Sequence, residues 1–144
     1  MRSKLILAAA LCAITGTVVH ATPARQQPLQ RYIGHSFCVV APNLSGKLVS
    51  DYRADWLGHR IRIGRAEIFV YEGNGNEQIT KGPVLTGNDG WLWRTESDGK
   101  DVIIQHLTGQ DFPAEIQIEG ATHAHLTPQQ VIGYFRDASQ RICK

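Results

Sequence analysis

Two cysteines near opposite ends of the chain, Cys38 and Cys143, constrain its fold more than any other feature, because the residues ahead of them read as an export signal. Arg2 and Lys4 supply a positive start, Leu5 to Val19 an apolar run, and Val19-His20-Ala21 the small-residue pattern that precedes a cleavage point. The expected signal peptide is therefore residues 1–21, with Thr22 as the new N-terminus. A membrane-spanning helix wants roughly twenty apolar residues. This run is shorter and is interrupted by Thr15, Gly16 and Thr17, which disfavours an uncleaved anchor. Cys12 sits inside the apolar run behind Leu11, which is too large for a lipid-attachment signal. Cleavage removes Cys12 and reduces 3 cysteines to the pair Cys38 and Cys143. In an exported chain such a pair is expected to form a disulfide. It would close a loop of about a hundred residues, worth roughly 4–5 kcal/mol in the chain-entropy model.

Cleavage also changes the charge. Removing Arg2 and Lys4 from 15 basic residues brings them level with the 13 acidic ones, so the mature chain is near neutral. Bulk charge then favours neither a nucleic-acid partner nor an anionic membrane. A mature length of about 120 residues suits one domain with one core. Pro23 and the Arg25-Gln26-Gln27-Pro28 stretch read as a flexible start, so residues 22–34 are expected to precede a single domain over 35–144.

Within that domain, Phe37 to Ala41 is a bulky, β-branched run that reads as a buried strand ended by Pro42-Asn43. Leu44, Leu48, Tyr52 and Trp56 recur every fourth residue and predict a helix, although Leu48 to Tyr52 also alternates as a strand would. His59 to Tyr71 gives a clearer signal. Ile61 and Ile63 alternate with arginines, Ile68 and Val70 alternate with Glu67 and Phe69, and Gly64-Arg65 between them suits a type II′ turn. That register sets Ile61 opposite Ile68 on the inner face and Arg62 opposite Glu67 on the outer face. A second hairpin is expected from Trp91 to Leu107 about Asp98-Gly99, with a connection of two or three residues, and another strand around Ile116 and Ile118.

Thr127, Pro128 and Gln130 have the spacing of a capping box at a helix start, with Leu126 and Val131 at the staple positions. Val131, Phe135, Ala138 and Ile142 would continue as an apolar stripe with Cys143 beside it. The expected fold is α+β: an antiparallel sheet of about five or six strands, a C-terminal helix packed on one face, and one disulfide.

Catalytic signatures are absent: no Gly-x-Ser-x-Gly, His-Glu-x-x-His, phosphate-binding glycine loop or Cys-x-x-Cys occurs. His123 and His125 would point to one side of an extended segment and form a candidate metal pair, with His106 or Asp111 as a third ligand. Trp91 and Trp93 share one face of a strand, either as core or, with Arg60 and Arg62, as a candidate binding surface. Arg94 on the opposite face needs water, which favours the inward reading of the tryptophans.

No family signature stands out. The residues together point to a periplasmic or secreted binding domain of the inhibitor- or immunity-like kind, needing no cofactor and engaging another protein rather than nucleic acid or membrane. Two alternatives stand beside it. One is a small hydrolase using His35, His59 or His106 with Asp or Ser; the other is a metal-binding accessory protein through His123 and His125.

Overall fold

The computed structural model describes residues 27–49, 56–108 and 114–144. The expected export signal and its cleavage point lie outside them. Ten strands form among the described residues, in two antiparallel sheets. In chain order they are β1 (Leu29–Ile33), β2 (Phe37–Pro42), β3 (Leu44–Val49), β4 (Trp56–Ile63), β5 (Ala66–Asn76), β6 (Val84–Thr86), β7 (Leu92–Ser97), β8 (Val102–His106), β9 (Ala114–Glu119) and β10 (Phe135–Asp137). A helix, α1 (Pro128–Tyr134), precedes β10, and a 3₁₀ turn at Arg141–Cys143 follows it. The sheets run β1-β2-β10 and β3-β4-β5-β9-β8-β7-β6.

The strands outnumber the five or six expected because several are short or carry no alternation. β1 falls in the stretch read as flexible, β6 and β10 are 3 residues each, and the run stopped by Pro42 turns at once into β3. Asn43 makes that reversal with φ 51, a left-handed value that asparagine tolerates. The helix expected over 44–57 is absent where the chain is described. Leu44–Val49 pairs along β4 from Leu44↔Ile63 to Val49↔Gly58, with Ser45 and Lys47 outward. The four-residue apolar spacing loses to sheet pairing, which places Leu44 in the core. Gly46 fits this strand because the Tyr32 ring lies against it; a Cβ there would meet ring atoms.

The first hairpin has the expected register, with Ile61 opposite Ile68, Arg62 opposite Glu67 and Ile63 opposite Ala66. Gly64 supplies the positive φ, 61°. The second hairpin pairs Ser97 with Val102, so its connection is longer than expected. The Asp98 carboxylate lengthens it by accepting from the amides of Lys100 and Asp101, each at 2.8 Å.

The helix begins as its cap dictates. Thr127 Oγ1 accepts from the Gln130 amide at 3.2 Å, and the Gln130 side chain accepts from the Thr127 amide at 2.8 Å. It ends at Tyr134, much sooner than the apolar stripe suggested. Phe135 is extended, with φ −83 and ψ 145, and pairs with Val39 in the small sheet. Asn88 and Arg136 take up the freed Gly133 carbonyl at 2.9 and 2.7 Å. Breaking the helix there seats Phe135 against Phe37 and Trp93, a better use of a large ring than another helical turn.

One core lies between the inner faces of the two sheets. Phe37, Val39 and Ala41 come from the small sheet; Ile61, Ile68, Val70, Trp93, Ile104, Ile116 and Ile118 come from the large one; Val131 and Ile132 come from α1. On the outer face of β2 a second cluster holds Val40 with Cys38 and Cys143, which are joined as a disulfide. The C-terminal turn is thereby fastened to β2. None of the described helices is long and apolar enough to cross a membrane.

Candidate functional site

Three groups of polar or aromatic side chains stand out, and their surroundings separate structural from binding roles. The most buried is built across the seam between the sheets. His59 and Glu72 both point inward from β4 and β5, and retain only 4% and 5% of their exposure. Glu72 Oε2 accepts from His59 Nε2 and from the His35 amide, each at 3.0 Å. Its other oxygen accepts from the Ser36 hydroxyl at 2.6 Å and from the Ser36 amide. A carboxylate only accepts, so His59 Nε2 is the donor, and on the other side of the ring Nδ1 is hydrogen-bonded with the Tyr32 hydroxyl at 2.9 Å. Burial pushes the Glu72 pKa up, but the bonds from His59, Ser36 and the His35 amide outweigh it and hold it down at about 2. Burial and the Glu72 charge together raise the Tyr32 pKa, which keeps its hydroxyl protonated.

This network ties β1 and the 34–36 turn of the small sheet to β4 and β5 of the large one. Its geometry is unsuited to nucleophilic catalysis. The Ser36 hydroxyl donates to Glu72, a carboxylate whose lowered pKa makes it a weak base, and Tyr32 is the less ionisable for its setting. Of the other histidines considered for hydrolysis, His35 contributes its backbone amide, and His106 stacks on Trp91 with ring centroids 4.0 Å apart.

The second group is that stack. Trp93, with 0% exposure, lies wholly in the core between His106 and Phe135, so it forms no part of a binding surface. Trp91 is half-buried and leans on both His106 and Trp93. Burial lowers the His106 pKa, opposed by the charges of Asp89 and Asp137. The loop at 87–91 is fixed here by Asp89, which accepts from the amides of Trp91 at 3.1 Å and Asp137 at 3.0 Å.

The third group is open. Alternation along β3, β4 and β5 turns Ser45, Lys47, Arg60, Arg62 and Glu67 outward, where with Gly46 they line a groove of about 310 Å³. Glu67 stands between the two guanidinium groups: Arg62 donates to Oε2 at 3.1 Å, and Arg60 Nε approaches Oε1 at 3.7 Å. Arg60 also lies over the Phe69 ring, 5.1 Å from its centroid. Its Nε is buried without a hydrogen-bond partner. The outer face farther along the sheet is closed instead. There Gln105 accepts from the Ile79 amide at 2.7 Å and donates to the Glu77 carbonyl at 2.8 Å, while Arg94 donates to the carbonyls of Ile79 and Thr80.

The histidine pair is not extended. Residues 121–125 form a turn closed by Ala124 N to Gly120 O and His125 N to Thr122 O, with His125 at φ 55. Asp101 imposes it by accepting from the amides of Gly120 and Thr122 at 2.5 and 3.0 Å. The spacing argument for two ligands on one side therefore fails. His106 is buried with the tryptophans, Asp111 lies outside the described residues, and no group of three ligating side chains occurs among those described. The groove around Arg60 was partly legible beforehand, since the arginine row and Glu67 follow from the hairpin register. Lys47 was missed because its segment read as helix.

No protein-family model matches the chain, and comparison with curated proteins and with solved structures likewise found no match.

Proposed function

We propose that this chain is an exported, non-catalytic binding domain that engages another protein through the outer face of β3, β4 and β5. The carrying observation is the open groove where Lys47, Arg60 and Arg62 gather with Glu67 as the one carboxylate in the lining. Three cations against one anion leave a local positive excess on a chain whose mature charge is near neutral, which marks a localised contact rather than a polyanion surface. The Tyr32 and Ser36 hydroxyls and the His59 ring are committed to internal bonds, which supports binding over hydrolysis. The disulfide is in keeping with maturation in the periplasm or outside the cell, where such bonds persist.

The test is affinity capture from cell-envelope extract with the exported, oxidised protein and with its Arg60→Glu/Arg62→Glu double variant. A discrete partner retained by the wild type and lost by the variant is the expected result. Capture of no partner, together with turnover of any tested ester, amide or glycoside, would replace binding with catalysis.

A further inference from the structure

We infer that the groove takes an extended acidic segment of the partner, whose carboxylates at alternate positions are received by Arg60 and Arg62 with Lys47 alongside. This rests on the protein-binding reading above and adds the chemistry and conformation of the bound segment.

The repeat of a strand sets the spacing of the cations. Arg60 and Arg62 are two residues apart on β4, so their backbone origins are about 7 Å apart. An extended peptide presents its residues i and i+2 at the same spacing and on one side. Carboxylates on such a segment therefore match the arginine row without distortion. Across the sheet, Lys47 stands opposite Arg60 and Ser45 opposite Arg62, giving a two-by-two grid with a cation at three corners and a hydroxyl at the fourth.

The cations are also prepared for this use. Glu67 bridges the two guanidinium groups along one edge of each, and the Phe69 face lies under Arg60. Held so, a planar guanidinium offers its remaining N–H pair as a fork for a carboxylate. Among the described residues the terminal amines of Arg60 and the ammonium of Lys47 have no hydrogen-bond or ion-pair partner. Glu67 thus orients the cations without satisfying them.

Docking by strand addition does not fit. β3 is the edge of its sheet, but the Gln30 side chain accepts from the Leu44 amide at 2.6 Å and the Tyr32 ring covers Gly46. The segment must lie across the face and be read by side chains. A single-stranded nucleic acid would want aromatic faces for its bases. Here Phe69 is covered by Arg60, and Trp91 is occupied by His106.

Fluorescence anisotropy with the exported, disulfide-bonded protein tests this, using three labelled probes: an alternating Glu-Thr peptide, a peptide with the same number of glutamates placed at every third residue, and an oligothymidylate. The alternating peptide should bind most tightly and weaken as salt is raised. Arg60→Gln should cost about tenfold and Arg60→Lys somewhat less, because charge alone cannot replace the fork. Arg65→Gln, at the exposed tip of the same hairpin, should stay within about twofold, as expected of a distant surface charge. Coincident thermal melts of the variants would show that the fold is intact. Equal binding of the peptide with glutamates at every third residue or of the oligothymidylate, indifference to Arg60→Gln in a folded variant, or no binding of the alternating peptide would overturn the inference. If a captured partner is lost in Arg60→Glu/Arg62→Glu but the alternating peptide does not bind, this inference fails and the binding reading survives; if a captured partner ignores that change, or none is captured, the binding reading itself fails.

Discussion

Cys38→Ser is expected to lower stability by about 4–5 kcal/mol and the thermal midpoint by some 15–25 °C, the figures that the entropy of a closed loop and the size of the domain imply. The bond joins residues 105 apart in sequence. What it holds is specific: the C-terminal 3₁₀ turn has one buried residue, Cys143, and meets the rest of the molecule at β2. Cys38, Val40 and Cys143 form a small cluster outside the main core, so reduction leaves little apolar surface to retain the turn. Thermal melts with and without reductant check this. Cys143→Ser and the double serine variant should each match Cys38→Ser, since all remove the same crosslink. A reduced protein melting within a few degrees of the oxidised one would mean that packing alone closes the domain.

The second large effect belongs to Glu72. Its carboxylate accepts from the His59 ring, the Ser36 hydroxyl and amide, and the His35 amide, and is almost wholly removed from solvent. Glu72→Leu strands several buried donors at once and should cost about 4 kcal/mol or more. Glu72→Gln keeps one acceptor but turns an amide donor toward other donors, and should cost about 2–3 kcal/mol. The acid limb of the stability curve carries an independent signature. The folded pKa lies at about 2 against the ordinary carboxylate value of 4.5. A depressed carboxylate contributes its stability above the unfolded pKa and loses it as pH falls toward the folded one. The wild type should therefore lose roughly 3 kcal/mol between about pH 4.5 and pH 2 from this group. Denaturant melts across that range should show the loss in the wild type and a correspondingly flatter slope in Glu72→Gln. Parallel slopes would contradict the network as drawn.

How far these features were readable in the sequence differs from one to the next. The β4–β5 hairpin was legible because alternation, turn residue and charge pairing agreed on one register. That register also carries information about Glu72. His59, Ile61, Ile68, Val70 and Glu72 all fall on its inner face, which places a histidine and a carboxylate in the core as diagonal neighbours. Their partners were not legible, since Tyr32 and Ser36 arrive from the other sheet and nothing local announces the meeting. The capping box fixed the helix start from local chemistry. Its end was decided by Phe135 finding Phe37 and Trp93, a tertiary preference that a helical stripe cannot anticipate. The His123-Ala124-His125 segment is turned rather than extended for the same reason. Asp101, twenty residues or so away, bends that segment into a turn. Lys47 was hidden by a four-residue leucine spacing that sheet pairing overrode.

The most direct test of the binding account is site-specific photo-crosslinking in living cells, with a photoreactive residue placed at Lys47 on the groove or at Asp98 in the exposed β7–β8 turn. Position 47 should give one discrete protein adduct, lost when Arg60 and Arg62 are both changed to glutamate, and position 98 should give none. Adducts of equal yield from both positions, or an adduct from position 47 that persists in the charge-reversed variant, would contradict it.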